Sequence, residues 1–220
     1  MCIRDSAEDR LNEAQTWLAE AAKLIPGDAS VQRDFAESLV RSDRSAEAVT
    51  VLKRAMQLDQ SALTALHLAE AYLNIGEWMK AKAAAQSARS RAVKTHVHPR
   101  VRAGALAIEG QARILSGKRS SRRAAQRSIR QALAIEPGLP AGLLARGLLL
   151  ETGRRPQKAL PVYVRLTQVA PKSAQGHYRL GRLLLRSRKG RREARTALQR
   201  ATELDPDGIW GTRARRLLRR

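Results

Sequence analysis

One helical pattern recurs along this chain at intervals of 34 or 35 residues, and it restricts the fold more than any other feature. The pattern ends at Pro26, Gln60, Pro137, Pro171 and Pro206. Residues 26 to 60 and 137 to 171 are both 34 apart, and residues 171 to 206 are 35 apart. Residues 60 and 137 are 77 apart, which leaves room for two repeats and a longer connection. A regular interval of this length predicts a stack of similar units.

A stripe of small and large apolar residues precedes each ending. In the second repeat it consists of Ala48, Leu52 and Ala55, whose spacings of four and three place them on one face of a helix. Alanine lets a neighbouring helix come close, and the larger residue fills the space beside it. The stripes of the other repeats are Ala14, Leu18, Ala21; Ala81, Ala85, Ala88; Ala125, Ile129, Ala132; Ala159, Tyr163, Leu166; and Ala194, Leu198, Ala201. Where a proline follows, it ends the helix; the third repeat, with Ala81, Ala85 and Ala88, has no proline at its expected place.

A second helix pattern precedes each stripe. It is clearest from Leu68 to Gly76, and its core recurs at Phe35-Ala36 and Leu180-Gly181. The small residue in second place allows the paired helix to cross closely. The chain is therefore predicted to consist of helix pairs joined by short, glycine-containing turns.

These two patterns together resemble the tetratricopeptide repeat. The family spacing of Leu-Gly-x-x-Tyr, Gly, Ala-x-x-x-Phe-x-x-Ala and Pro is met most fully by residues 62–88 and 174–206, and the resemblance covers residues 7–207. It implies an all-α, right-handed superhelical solenoid of antiparallel helix pairs, with about five and a half repeats and a C-terminal capping helix. Gln60 in place of proline and Arg113 at an apolar position depart from the family pattern.

The repeat register predicts the boundaries of the units. The second helix of a truncated repeat covers residues 7–28, and the capping helix covers residues 208–220. The full repeats are predicted at residues 29–61 (repeat 2), 62–95 (repeat 3), 96–138 (a connection and repeat 4), 139–173 (repeat 5) and 174–207 (repeat 6). The capping helix is expected to cover the last repeat with Ile209, Trp210, Leu217 and Leu218.

The first six residues are interpreted as an artefact. Residues 1–6 read Met-Cys-Ile-Arg-Asp-Ser, the translation of a sequencing-library adapter, ATG TGT ATA AGA GAC AG. The chain is accordingly interpreted as an N-terminally truncated fragment. Because Cys2 then belongs to the adapter, cysteine usage does not indicate a compartment, which stays open between the cytoplasm as the default and the periplasm.

The positive charge is concentrated in the second half of the chain. Residues 1–110 hold 15 Lys and Arg against 14 Asp and Glu, whereas residues 111–220 hold 27 against 6. This imbalance favours an acidic partner. The alternative is codon bias in a GC-rich genome, since Arg outnumbers Lys by 33 to 9.

The resemblance implies that the first helix of each pair lines a concave groove that binds a peptide. The candidate partner-binding residues are Leu144, Leu148, Tyr178, Arg182, Arg186, Arg188, Lys189, Arg191 and Arg192. An alternative reading places Leu144 and Leu148 in the core, packs Tyr178 on a neighbouring helix and leaves the arginine cluster as a solvated turn.

Catalytic, cofactor and metal sites are not predicted. His96 and His98 lack a nearby carboxylate or thiol, and Gly117-Lys118-Arg119-Ser120 lacks the spacing of a phosphate-binding loop. The longest apolar stretch, Leu143 to Leu150, is too short to span a bilayer and contains Arg146.

The sequence therefore favours a protein-interaction scaffold or adaptor, not an enzyme, whose groove binds an acidic peptide segment. Two alternatives remain. One is non-specific nucleic-acid binding through the basic half, which is less favoured because few aromatic residues are available to stack on bases. The other is a recognition arm of a larger enzyme.

Overall fold

The computed structural model describes residues 5–153, 156–186 and 190–219, with side chains from residue 13 onward. Every regular element in these ranges is helical, as predicted. The chain divides into two compact units between Ala112 and Arg113, and α6 extends across this boundary.

The described residues of the first unit form six helices that follow one another through short turns, and the last of these ends just beyond the unit. They are α1 (Asp5–Leu24), α2 (Ala29–Arg41), α3 (Ser45–Leu58), α4 (Ala62–Asn74), α5 (Trp78–Lys94) and α6 (Pro99–Leu115). Helices α2 and α3 pack together, as do α4 and α5. The predicted arrangement in consecutive helix pairs is confirmed.

Local signals in the sequence define where these helices begin and end. The Asp28 carboxylate accepts hydrogen bonds from the backbone N–H groups of Ser30 and Val31, at 2.7 and 3.3 Å, and so caps α2. Ser61 caps α4 in the same way through the N–H of Thr64. Gly76 has a φ of 85°, a left-handed conformation that glycine adopts without strain, and it turns the chain between α4 and α5.

Six further α-helices lie in the described residues of the second unit. They are α7 (Arg122–Ile135), α8 (Pro140–Glu151), α9 (Leu160–Val169), α10 (Ala174–Leu184), α11 (Arg191–Leu204) and α12 (Ile209–Leu218). Short 3-10 turns at Arg119–Ser121 and Pro156–Ala159 precede α7 and α9. Helix α8 packs on α9, and α10 packs on both α11 and α12.

The predicted stripes form the core of both units. Ala48, Leu52 and Ala55 are fully buried. The equivalent residues of α5, α7 and α11, and those of α9 with Ala159 just before it, are at most 3% exposed. The stripe of α1 differs, because Ala14 is exposed and Leu18 and Ala21 are half-buried.

The close approach of paired helices explains the small residues in the first helix of each pair. A Cβ on Gly181 of α10 would lie 2.7 Å from Leu198 Cγ and 3.0 Å from the Ala194 carbonyl oxygen of α11. Only glycine fits at this contact without displacing α11.

The C-terminal helix α12 covers the last pair, but with fewer residues than predicted. Trp210, Leu217 and Leu218 pack against Tyr178, Leu198 and Ala201. Ile209, expected in the same contact, is 46% exposed because it is the first residue of α12 and lies at the edge of the interface.

Among the described residues, no helix is both long and apolar enough to cross a membrane.

Candidate functional site

The predicted partner-binding residues lie at three places in the second unit. On α8, Leu148 is 3% exposed and Leu144 is half-buried against a cluster that contains Leu143 and Leu183. On α10, Tyr178 is 9% exposed and Arg182 is half-buried. Around the turn before α11, the exposed side chains are those of Arg186, Arg191 and Arg192; Arg188 and Lys189 lie outside the described residues.

A carboxylate on α8 holds two arginines of α10. Glu151 Oε2 lies 3.4 Å from Nη1 of Arg179, and it accepts a still shorter hydrogen bond from Nη2 of Arg182. The side chain of Glu151 is 9% exposed, that of Arg179 14%, and that of Arg182 34%. The carboxylate therefore fixes the arginines from inside and leaves part of Arg182 open to solvent.

The same two arginines contact a pair of aromatic rings. Tyr178 and Trp210 lie 5.5 Å apart between ring centroids and are tilted by 42°. The Arg182 guanidinium lies 5.9 Å from the Tyr178 centroid, and Arg179 lies 5.5 Å from that of Trp210. Arg213 of α12 approaches the Trp210 ring to 5.1 Å. We refer to these five residues as the arginine–aromatic cluster. Cation–π contacts of this kind restrict guanidinium groups that would otherwise be mobile.

Tyr163 lies beneath Glu151 and is fully buried. Burial, followed by the negative charge of Glu151, raises the pKa of its hydroxyl far above its usual range. Tyr163 thus stays neutral and serves as packing below the cluster.

In the first unit, acidic and histidine side chains gather on α2 and α4. Arg33 Nη1 donates to Thr64 Oγ1 at 3.3 Å, and Glu37 pairs with Arg41 on its own helix at 2.6 Å. Burial lowers the pKa of His67, whose Nδ1 has no hydrogen-bond partner among the residues that the structure describes. The Glu70 side chain is exposed, but the protein around its carboxylate displaces water and so raises the pKa of Glu70. The negative charge of Glu37 raises this pKa further. This face differs in charge from the arginine–aromatic cluster.

Sequence reasoning did not select four residues that organise the cluster, which are Glu151, Arg179, Trp210 and Arg213. One signal was available, since Glu151 is one of only six acidic residues in residues 111–220. An isolated carboxylate in a basic half is a candidate for an internal ion pair. Trp210 was expected to cap the last repeat, and its contacts with arginine were not foreseen.

Within the described part of the chain, no group of three or more His, Cys, Asp or Glu side chains is arranged to hold a metal ion.

Solved structures with a similar fold are tetratricopeptide-repeat proteins and a related assembly. A thermophilic tetratricopeptide-repeat protein of Thermus thermophilus, TTC0263, matches 88% of this chain and 100% of its own, with 19% identity and a TM-score of 0.70. The Cut9–Hcn1 hetero-tetramer of the APC/C matches 96% of this chain and 40% of its own, with 18% identity and a TM-score of 0.66. The structure of Pseudomonas aeruginosa pilF matches 96% of this chain and 91% of its own, with 16% identity and a TM-score of 0.56.

No protein-family model matches the chain, and no curated protein matches its sequence. Identities this low bear on the fold alone. Together with the buried stripes and the consecutive helix pairs, the structural matches show that the chain has the tetratricopeptide-repeat fold.

Proposed function

We propose that this chain is a protein-interaction scaffold without catalytic activity, and that its second unit binds an acidic protein segment at the arginine–aromatic cluster. The observation that carries this proposal is the position of Arg182 and Arg213, which contact the Tyr178–Trp210 pair from two different helices. Guanidinium groups held in place bind carboxylates through paired hydrogen bonds and lose little side-chain entropy on binding.

The charge around the cluster supports an anionic ligand. Glu151 offsets one of the two charges on Arg179 and Arg182 and is itself buried. Arg213 and Arg186 are exposed, and neither lies within 4.0 Å of a carboxylate in the described ranges. The cluster therefore keeps an excess of positive charge that faces solvent.

The aromatic residues favour a protein segment over nucleic acid. Base stacking requires an exposed ring face, but Tyr178 is only 9% exposed. Trp210 is already contacted by Tyr178, Arg179 and Arg213. Carboxylates need only the outward N–H groups of the arginines.

The proposal is tested by fluorescence anisotropy with the full chain and a labelled twelve-residue peptide of alternating Glu and Ser. The variant Arg186→Glu/Arg213→Glu should weaken binding by about tenfold or more. A matched charge reversal on α3, Lys53→Glu/Arg54→Glu, changes two exposed residues of the first unit and should have less than a twofold effect. Equal losses in both variants would mean that net charge, rather than the cluster, binds the peptide.

A labelled single-stranded RNA is titrated in parallel. If RNA binds more tightly than the peptide and its affinity falls steeply with salt, non-specific phosphate contact is the better account. If the peptide binds and RNA does not, the acidic-segment proposal stands.

A further inference from the structure

An apolar groove with a basic rim lies on another side of the second unit. Three adjoining depressions form it, lined by residues of α7, α8, α9 and the 3-10 turn before α9. The central depression shares Leu133, Arg146 and Leu150 with the depression on one side of it. It shares Pro161 and Arg165 with the depression on the other side. Because the depressions share their walls, they form one continuous surface, which we call the α7–α9 groove.

The floor of the α7–α9 groove is apolar. Leu133, Leu143 and Val162 line its centre, where Leu133 is half-buried and Leu143 and Val162 are buried, so the exposed apolar surface lies beyond them. Towards one end, Pro161 is exposed, Val164 is 39% exposed and Val169 is 42% exposed. Contiguous exposed apolar surface with a polar border is typical of an interaction site.

The rim of the groove is basic. Arg130, Arg146, Lys158 and Arg165 line it and are all exposed. None of the four lies within 4.0 Å of a carboxylate in the part of the chain described here. The lining of the three depressions includes no Asp or Glu. Among the described residues, the charge on the rim is therefore not paired with a carboxylate.

The groove is separate from the arginine–aromatic cluster. Successive residues of an α-helix are turned by about 100°. On α8, Leu143, Arg146 and Leu150 therefore lie on one side, whereas Leu144, Leu148 and Glu151 lie on the other. The two surfaces can be altered independently.

We propose that the α7–α9 groove binds an acidic amphipathic helix of a partner protein. A helix that presents apolar residues three and four positions apart would place them on the leucine-rich floor. Acidic residues on its flanks would meet Arg130, Arg146, Lys158 and Arg165 on the rim. A concave floor favours a helix over a membrane surface, because a bilayer cannot follow a groove between packed helices.

Two labelled eighteen-residue peptides of identical Leu, Glu and Ala composition test this proposal with the full chain. In one the leucines follow a helical repeat, and in the other the order is scrambled. The amphipathic peptide should bind about tenfold more tightly than the scrambled one. In addition, Arg146→Glu/Arg165→Glu should weaken its binding by about tenfold, and Val164→Glu should also weaken it. Circular dichroism spectra of the variants check that each one remains as helical as the unaltered chain.

Two control variants distinguish binding in the α7–α9 groove from attraction to the overall positive charge and from binding at the proposed acidic-segment site. Arg123→Glu/Arg127→Glu reverses two exposed charges of α7 that do not line the groove. Arg186→Glu/Arg213→Glu alters Arg213 of the arginine–aromatic cluster together with Arg186, an exposed residue shortly after α10. Both should change binding of the amphipathic peptide less than twofold. A lysine-for-glutamate version of the peptide should bind Arg146→Glu/Arg165→Glu more tightly than it binds the unaltered chain.

Three results would overturn the proposal. The scrambled peptide could bind as tightly as the amphipathic one, or the control variants could lose as much affinity as the rim variant. Vesicles of phosphatidylglycerol could bind through the same rim residues and displace the peptide, which would identify a lipid surface as the ligand. The acidic-segment proposal rests on Arg182 and Arg213 and is tested separately, with the alternating Glu–Ser peptide.

Discussion

The ring of Tyr163 on α9 occupies the space that a side chain at position 147 of α8 would need. A Cβ on Gly147 would lie 2.2 Å from Tyr163 Cε1 and 2.5 Å from Cζ. Tyr163 is the largest fully buried side chain among the described residues, and it fills the large-residue position of its stripe. The missing side chain of Gly147 thus lets the largest core residue fit between the two helices.

Gly147→Ala should lower the free energy of unfolding. Alanine favours a helix over glycine by about 1 kcal/mol, but the clash with the Tyr163 ring should cost more than this gain, giving a net loss of about 1–3 kcal/mol. Urea denaturation followed by circular dichroism measures the change. In a Tyr163→Leu background the same substitution should cost less, because the ring that it meets is gone. A stabilising Gly147→Ala would contradict the tight packing of α8 on α9.

The stripe of α7 gives a test of the repeat register. Ala132 is fully buried, whereas Arg127 on the same helix is exposed. Ala132→Leu should overpack the helix pair and cost about 1–3 kcal/mol of stability. Arg127→Leu should change stability by less than about 0.5 kcal/mol. Equal effects in thermal or urea denaturation would show that the register is wrong.

Tyr163 should make stability depend on pH in the alkaline range. Its pKa in the folded chain lies above the ordinary value of 10.0, so the unfolded chain loses this proton first. The stabilisation is therefore complete well below pH 10 and decreases as pH rises above it. Tyr163→Phe removes the titrating group, and its stability should fall less than that of the unaltered chain between about pH 9 and about pH 11. If the free energy of unfolding, measured by urea denaturation, falls equally with pH in the two proteins, Tyr163 does not have this role.

Glu151 should stabilise the second unit because its carboxylate pairs with the positive charges of Arg179 and Arg182. Glu151→Ala would leave Arg179, whose side chain is 14% exposed, without its carboxylate. The expected loss is about 1–3 kcal/mol, reduced by the solvent access of Arg182. Glu203→Ala on α11 is the control, because Glu203 pairs with Arg200 at an exposed site and should matter little. Equal stabilities of the two variants would indicate that the buried pair contributes nothing.

Local patterns in the sequence predicted the helices and the core but not the contacts between distant positions. The spacing of Ala48, Leu52 and Ala55 specifies one buried helix face, because neighbours on a helix are set by the backbone. The pairing of Glu151 with Arg182 depends instead on how α8 and α10 approach, and these residues are 31 positions apart. Ala14 shows the same limit, since it matches the stripe pattern and yet is exposed. Burial requires a helix on the other side, which the spacing within α1 cannot specify.

The connection between α5 and α6 turns sharply within residues 95–98. His96 and His98 lie between Lys94, the last residue of α5, and Pro99, the first residue of α6. His96 adopts a φ of 51°, a left-handed conformation that is uncommon for residues other than glycine. Neither glycine nor asparagine marks this position, so the sharp turn could not be foreseen from residue types.

The most direct test of the acidic-segment proposal observes the arginine side chains themselves. In a ¹⁵N-labelled sample titrated with the alternating Glu–Ser peptide, the Nε–Hε resonances of Arg182 and Arg213 should shift, with Arg213→Lys and Arg182→Lys variants providing the assignments. Those of Arg54 on α3 and Arg127 on α7 should stay in place. Shifts spread evenly over all arginines, or none at Arg182 and Arg213 at saturation, would contradict binding at the arginine–aromatic cluster.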